Sequence, residues 1–272
     1  MFKPIVNARL PQVLAVFLFA LVLLHPPAAS GEDRMEKISD LNGKRIAVIA
    51  GTSLDAVANA ELDFTQIVYF DTSEQRVEAL LADEVDAIID DEPVVRYAAS
   101  VDPRLRALEG ILDEDQYGYA FRYGEDDLYY LVNRAMRQLI KDGTLAEMEQ
   151  RWLDGKGERK VPEFPDPPEN APVLRFGVSS ISAPFTYLDA DGNVTGLDIE
   201  FMHRIANAIN YRLEVTDMEF SFLIPSLINK RADVIGGCFS ITPERAKLIR
   251  FTDPYHKGGV SALVLEDTAG TK

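Results

Sequence analysis

Arg245 carries the side chain best shaped to hold a carboxylate, because a guanidinium meets a planar anion with two parallel hydrogen bonds. It follows Thr242 by three residues, where the chain turns from a strand into a helix. Backbone N–H groups at such a turn are free to help hold an anion, which puts Thr242 in the same candidate site. Taken on the local sequence alone, the plainer reading of Arg245 is an ordinary solvent-facing helix residue. Asp90 and Asp91 end an apolar strand just before Pro93. Acidic groups at a strand terminus face the crevice where open α/β sheets bind ligands, and the alternative for either is to cap the helix that follows. Phe220 could pack on a ligand side chain or belong to the core.

Other chemistry is poorly supported. His25, His203 and His256 have no neighbours in sequence that suggest a nucleophile or a pair of metal ligands, so no catalytic centre, metal or cofactor is expected. The run Asp189-Ala190-Asp191-Gly192-Asn193 loosely resembles a calcium loop, but its acidic spacing does not continue, and the Asp-Gly pair reads better as a hairpin turn. Cys238 is the only cysteine, which rules out an internal disulfide and suggests a small buried residue at a strand end. The formal charge of −16 comes from 28 basic and 44 acidic residues, with no basic cluster interleaved with aromatics, so nucleic acid is not an expected partner.

The elements that must position these residues alternate between strand and helix. Strands are expected at 45–50, 68–70 and 86–89, with helices opening after Gly51-Thr52, at Ser73 and at Pro93. A return strand over Tyr117 to Tyr123 and two helices, 128–140 and 145–153, complete the region from 36 to 153. Residues 154–171 are rich first in Gly and then in Pro, and read as a linker. A second αβ region, 172–272, opens on the strand 173–178. It continues with a hairpin around Asp191-Gly192, a helix over 198–209, the strand 213–215, a helix over 223–230 and the strand 233–237. A short helix at Pro243 and a strand over 261–265 close it. The pattern predicts an α/β fold with a largely parallel sheet. At the N-terminus, Lys3 and Arg9 precede the apolar run 13–24 and the small residues Ala28-Ala29-Ser30. That run is shorter than the about 20 residues of a membrane span, so it reads as an export signal, residues 1–30, cleaved near Ser30, with an uncleaved membrane anchor as the alternative.

One stretch, Gly236-Gly237-Cys238-Phe239-Ser240-Ile241-Thr242-Pro243-Glu244-Arg245 followed by Phe251-Thr252-Asp253-Pro254-Tyr255, resembles the family 3 extracellular solute-binding proteins, the amino-acid receptors of ABC importers. The likeness extends to Pro184-Phe185, Gly196-Leu197-Asp198 and Phe220, which belong to the opening half of the family pattern. The closing half resembles Asp40-Leu41-Asn42-Gly43-Lys44, Ala50-Gly51-Thr52, Val85-Asp86-Ala87, Tyr117-Gly118 and Asp142-Gly143-Thr144. The halves stand in swapped order: reading 172–272 and then 36–153 restores the family's sequence. Circular permutation would produce this, with 154–171 bridging the old termini; the rival is a fragment of a tandem-domain sensor.

The resemblance implies a two-lobed α/β binding protein, closing on its ligand by a hinge. It implies that Arg245 binds a ligand α-carboxylate, helped by Ser240 and the backbone around Cys238, and that Asp91 binds the α-ammonium. Thr52 and Ser53 would hold the carboxylate from the second lobe and Phe220 would line the side-chain pocket. Ser182 stands where members often carry a stacking aromatic, and Ile49 where a polar side chain can occur, while Asp90 would favour a polar or cationic ligand. The implied protein is periplasmic and monomeric, passes an amino acid to a permease of the inner membrane, and is not an enzyme. The alternatives are a ligand-sensing module of a signalling system and a dehydratase-like enzyme on the same fold.

Overall fold

A computed structural model describes residues 35–266, and the expected export signal and its cleavage point at Ser30 lie outside the described residues. Among the described residues no helix is long and apolar enough to cross a membrane. From the N-terminal side, β1 (Arg45–Ile49) leads to α1 (Leu54–Glu61), β2 (Gln66–Phe70) to α2 (Ser73–Leu81), and β3 (Ala87–Asp91) to α3 (Glu92–Val101). Three short strands follow, β4 (Leu105–Ala107), β5 (Asp113–Tyr117) and β6 (Ala120–Phe121), then α4 (Asp126–Lys141) and α5 (Thr144–Trp152). Beyond the linker come β7 (Val173–Val178), β8 (Ile181–Ser182), β9 (Thr186–Leu188), β10 (Val194–Thr195) and α6 (Leu197–Ala208). The rest is β11 (Arg212–Asp217), α7 (Leu223–Ile228), β12 (Val234–Ile235), α8 (Pro243–Ala246), β13 (Arg250–Phe251) and β14 (His256–Leu265).

Local chemistry explains the main boundaries. α2 starts with a capping box, in which the Thr72 hydroxyl accepts the Gln75 N–H while the Gln75 side chain accepts the Thr72 N–H. The cap therefore lies one residue before the expected start. In α4 the buried residues Tyr129, Val132, Asn133, Ala135 and Met136 recur at helical spacing and face the core. Asp189 accepts the N–H groups of Asp191 and Asn193, which makes the Asp-Gly turn joining β9 to β10 in antiparallel register. The acidic loop is thus the expected hairpin.

Two sheets form two lobes. The first has the order β2-β1-β3-β14-β4, with β5 also paired to β14, and its parallel strands are covered on both faces by separate apolar clusters. The second has the order β11-β7-β12-β6-β13, with β8, β9 and β10 as a small antiparallel sheet beside it. Each main sheet takes strands from both sides of the linker: β14 completes the first and β6 enters the second. α4 and α5 pack on α6, where Met136, Met148 and Trp152 join Phe176, Phe185 and Phe201 in one core.

The run Tyr117 to Tyr123, expected as one strand, is two. β5 belongs to the first lobe and β6 to the second, and Gly118-Tyr119 crosses between them beside the other crossing, Thr252 to Tyr255. A Cβ at Gly118 would come within 2.9 Å of the end of the Ile241 side chain, which would have to shift to admit it. The two crossings are hydrogen-bonded to each other through Thr252 N–H to Tyr119 O (2.8 Å) and Tyr255 N–H to Tyr117 O (3.0 Å). Tyr119 and Tyr255 stack at 4.8 Å, and both hydroxyls donate to buried Asp198, at 2.6 and 2.8 Å. This anchored pair of strands has the form of a hinge.

The linker is laid against the second lobe rather than free of it. Arg159 donates to Trp152 O, Val161 packs on the core and Phe164 stacks on His203. At the opposite edge, Arg106 donates to Met35 O at 2.7 Å and pairs with Glu266 at 3.3 Å, which brings the two ends of the described chain onto one side chain.

Candidate functional site

The C-terminal ends of β1 and β3 face the turns after β12, and the cleft between the lobes lies there, as the crevice rule for α/β sheets requires. From the first lobe it is lined by Ile49, Thr52, Ser53, Leu54, Arg76, Asp90 and Asp91; from the second by Ile181, Ser182, Phe220, Cys238, Ser240 and Arg245. The free space inside is about 20 Å³. That volume holds a water molecule and no amino acid, so the lobes stand closed and any larger ligand needs them to part.

Arg245 is half-buried and lies over the rings of Phe239, at 4.4 Å, and Phe220, at 5.2 Å. One guanidinium nitrogen donates to Ser240 O at 3.0 Å, and among the described residues no carboxylate oxygen comes within salt-bridge distance. Burial lowers its pKa, opposed by the negative charges of Asp115 and Asp91. A guanidinium packed on aromatic faces and lacking a paired acid is a ready acceptor for an anion. Thr242, expected beside it, does something else: its hydroxyl caps α8 by accepting the Arg245 N–H at 3.2 Å, and it is not among the residues lining the cleft.

Asp91 faces Arg245's lobe from the end of β3. Its oxygens accept the Tyr117 hydroxyl at 2.8 Å and the Cys238 thiol at 3.3 Å. Burial, and then the charges of Asp90 and Asp115, push its pKa up to about 8. The helix-capping alternative is not realised, since Asp91 makes no side-chain capping bond to α3. Cys238 has a backbone φ of 51°, a left-handed conformation uncommon for a side-chain-bearing residue, and its N–H donates to Asp198 at 2.9 Å. The same Asp198 holds the two hinge tyrosines, so the cleft and the hinge share one buried carboxylate.

Asp90 is committed to the protein. Its carboxylate takes Arg76 at 2.5 Å in a pair buried on both sides and accepts the Asp91 N–H at 2.8 Å. The expected pull of Asp90 on a cationic ligand is therefore offset by Arg76, which the reading of the sequence left unassigned. The signal for Arg76 was its position: with Ala79 and Leu80 it forms the buried face of α2, where a cation is out of place unless paired. Tyr117 was likewise missed as a partner of Asp91, because only the crossing of strands between sheets brings it there.

Thr52 turns its hydroxyl to Ile49 O at 2.8 Å and receives the Leu54 N–H, while Ser53 precedes α1 without a side-chain capping bond. Ser73 on α2 donates to Ile181 O at 2.7 Å across the lobes and accepts from Arg76, which fastens one side of the cleft.

Residues 174–270 match the family model described as bacterial extracellular solute-binding proteins, family 3. A probable amino-acid ABC transporter-binding protein of Haemophilus influenzae is 34% identical over 99 residues, which are 36% of this chain and 38% of that protein. ABC transporter arginine-binding protein 1 of Escherichia coli is 32% identical over 101 residues, 37% of this chain and 42% of its own length. Among solved structures, the arginine-bound form of truncated ArgBP from T. maritima is 40% identical over 31% of this chain and 40% of that one, with a TM-score of 0.30. The alignments thus span less than half the length of the curated relatives.

Proposed function

We propose that this chain is an exported, periplasmic binding protein that takes up a free amino acid between its lobes and presents it to an ABC permease. The observation that carries the reading is the pairing of Arg245 and Asp91 across the cleft. Among the described residues, one is a half-buried guanidinium without an acid partner, and the other is a carboxyl group held only by uncharged donors. An amino-acid zwitterion supplies an anion to Arg245 and a cation that draws Asp91 into its ionised form. Its carboxylate meets Arg245, with Ser240 and the amides around Cys238, Thr52 and Ser53 beside it, and its ammonium displaces the Cys238 thiol from Asp91. Bound to both lobes, the ligand stabilises closure about the crossings at Gly118-Tyr119 and Thr252 to Tyr255.

The match over 174–270 and the names of the relatives support the amino-acid class and the transporter partner. The reading includes no catalytic step. It also includes the permutation: 36–153 as the closing half of the binding fold and 172–272 as the opening half, with 154–171 joining the old ends. The insertion of β14 and β6 into each other's lobes, and the meeting of Met35 and Glu266 on Arg106, support it. A thermal-shift screen of the common amino acids tests the function, since a ligand that binds only the native state raises the melting temperature. A rise with one or a few amino acids is expected; no rise with any of them overturns the reading.

A further inference from the structure

We infer that Arg76 and Asp90 together select an amino acid whose side chain ends in a carboxamide. The inference rests on the proposed binding of an amino-acid zwitterion at Arg245 and Asp91. With the two charged ends held there, the rest of the ligand faces the remaining walls of the cleft: Ile49, Ile181, Ser182, Phe220, Arg76 and Asp90.

Asp90 offers no net negative charge to a ligand, because Arg76 pairs with it at 2.5 Å and both side chains are buried. A basic side chain brought to this wall gains Asp90 and meets the charge of Arg76 at the same distance scale. An acidic side chain gains Arg76 and is repelled by Asp90. The pair is neutral overall, so neither charge is favoured, and desolvating a charged side chain against it is left uncompensated.

Hydrogen-bonding capacity does distinguish the remaining candidates. The Arg76 Nε–H is buried and has no hydrogen-bond partner among the described residues. Asp90 uses one oxygen for the Asp91 N–H and the other for Arg76, which leaves lone pairs on both. A donor without an acceptor beside an acid with spare capacity is the complement of an amide, whose carbonyl accepts from Arg76 while its NH2 donates to Asp90. An apolar side chain of the same length would leave the Arg76 donor buried and unsatisfied. Among the described residues nothing lining the cleft besides Asp91 and Asp90 is acidic, so the cleft lacks the free carboxylate that a basic side chain would need.

Calorimetry on the full chain with glutamine, asparagine, glutamate, aspartate, arginine, lysine, histidine and leucine tests the assignment. Glutamine or asparagine is expected to bind at least ~10-fold more tightly than the acidic, basic or apolar ligands, the value of one buried hydrogen bond. In the double variant Arg76→Met with Asp90→Leu, which removes both charges together, that preference over leucine should disappear. Arg76→Lys keeps a positive charge beside Asp90 but lacks the Nε donor, and should lose most of the preference while still melting cooperatively. Tightest binding of a basic or acidic amino acid, lost on Arg245→Ala, overturns the inference and leaves the binding function standing. A carboxamide preference that survives in both Arg76 variants also overturns it. Absence of binding by every amino acid removes the function and the inference with it.

Discussion

The thiol of Cys238 reaches Asp91 Oδ2 at 3.3 Å, joining two residues 147 positions apart and on opposite lobes of the cleft. The other oxygen of Asp91 is held by Tyr117 from the crossing strand at 2.8 Å. A thiol is a weak donor, so this closed arrangement leaves Asp91 with one good hydrogen bond and one poor one. A ligand ammonium taking the place of the thiol gains a charge-assisted bond at little cost to the protein.

Arg245→Ala and Asp91→Ala are each expected to abolish binding of whichever amino acid the screen identifies. Removing one member of a desolvated charge pair costs about 2–5 kcal/mol, because its counterpart is left uncompensated. Far-UV circular dichroism should be unchanged in both variants, since neither side chain builds a lobe core. Calorimetry that finds parental affinity in both would mean that the amino acid binds elsewhere on the protein.

Binding should release a proton below about pH 8. Asp91 is pushed up to about 8 in the folded protein, chiefly by burial, and so stands above an ordinary carboxylate. With a folded pKa above the unfolded one, its protonated form stabilises the ligand-free protein fully below about pH 4, and this contribution is lost as pH rises through about 8. An ammonium requires the ionised form. Affinity is therefore expected to rise with pH from 6 towards 8, by at most about tenfold per unit. Titrations at pH 6.5 in two buffers of different ionisation enthalpy measure the proton directly; equal heats in both would refute this role for Asp91.

Cys238 should report on opening of the cleft. It is buried, and burial together with the charges of Asp91 and Asp198 raises its pKa well above that of a free thiol, so the reactive thiolate is suppressed while the lobes are closed. Labelling by a thiol reagent is expected to be slow in the native protein, fast in denaturant, and slower still with ligand present. Labelling that ligand does not slow would place Cys238 outside the moving cleft.

A reordered gene that opens the chain within 154–171 and joins residue 266 to residue 36 through a short flexible link should produce the same fold. The new junction is short because Met35 and Glu266 both reach Arg106. Matching circular dichroism, a single cooperative melt and retained ligand binding are expected. A chain that fails to fold in that order would show that the linker is required for the fold and would argue against permutation.

Much of this arrangement could be read from the sequence because it rests on local patterns. The alternation of buried strands and helices, the Asp-Gly hairpin and the helix begun by Pro243 are each set by a few adjacent residues. The cleft was legible from the motif around Cys238 to Arg245 and from Asp90-Asp91 at a strand end. Two things were not. Splitting Tyr117 to Tyr123 between two sheets depends on where the partner strands lie, and a single glycine, Gly118, is too weak a mark to place the crossing. The Arg76–Asp90 pair and the Tyr117–Asp91 bond span different elements, so their partners are named only by the fold. Thr242 differs from its expected place for the opposite reason: a Thr before Pro at a helix start is a cap first, and here its hydroxyl caps α8 and lies off the cleft lining.

β14 lies between β3 and β4 in the first sheet, yet it is made after everything else in the described chain. As the polypeptide emerges, β3 and β4 must wait with unpaired edges through the synthesis of the entire second lobe. The first lobe cannot finish by itself, and the second is still waiting for β13 until shortly before. Pairings between residues so distant in sequence form slowly. Every strand of the second sheet has therefore been made before the strand that completes the first, and the first lobe, begun earliest, is finished last.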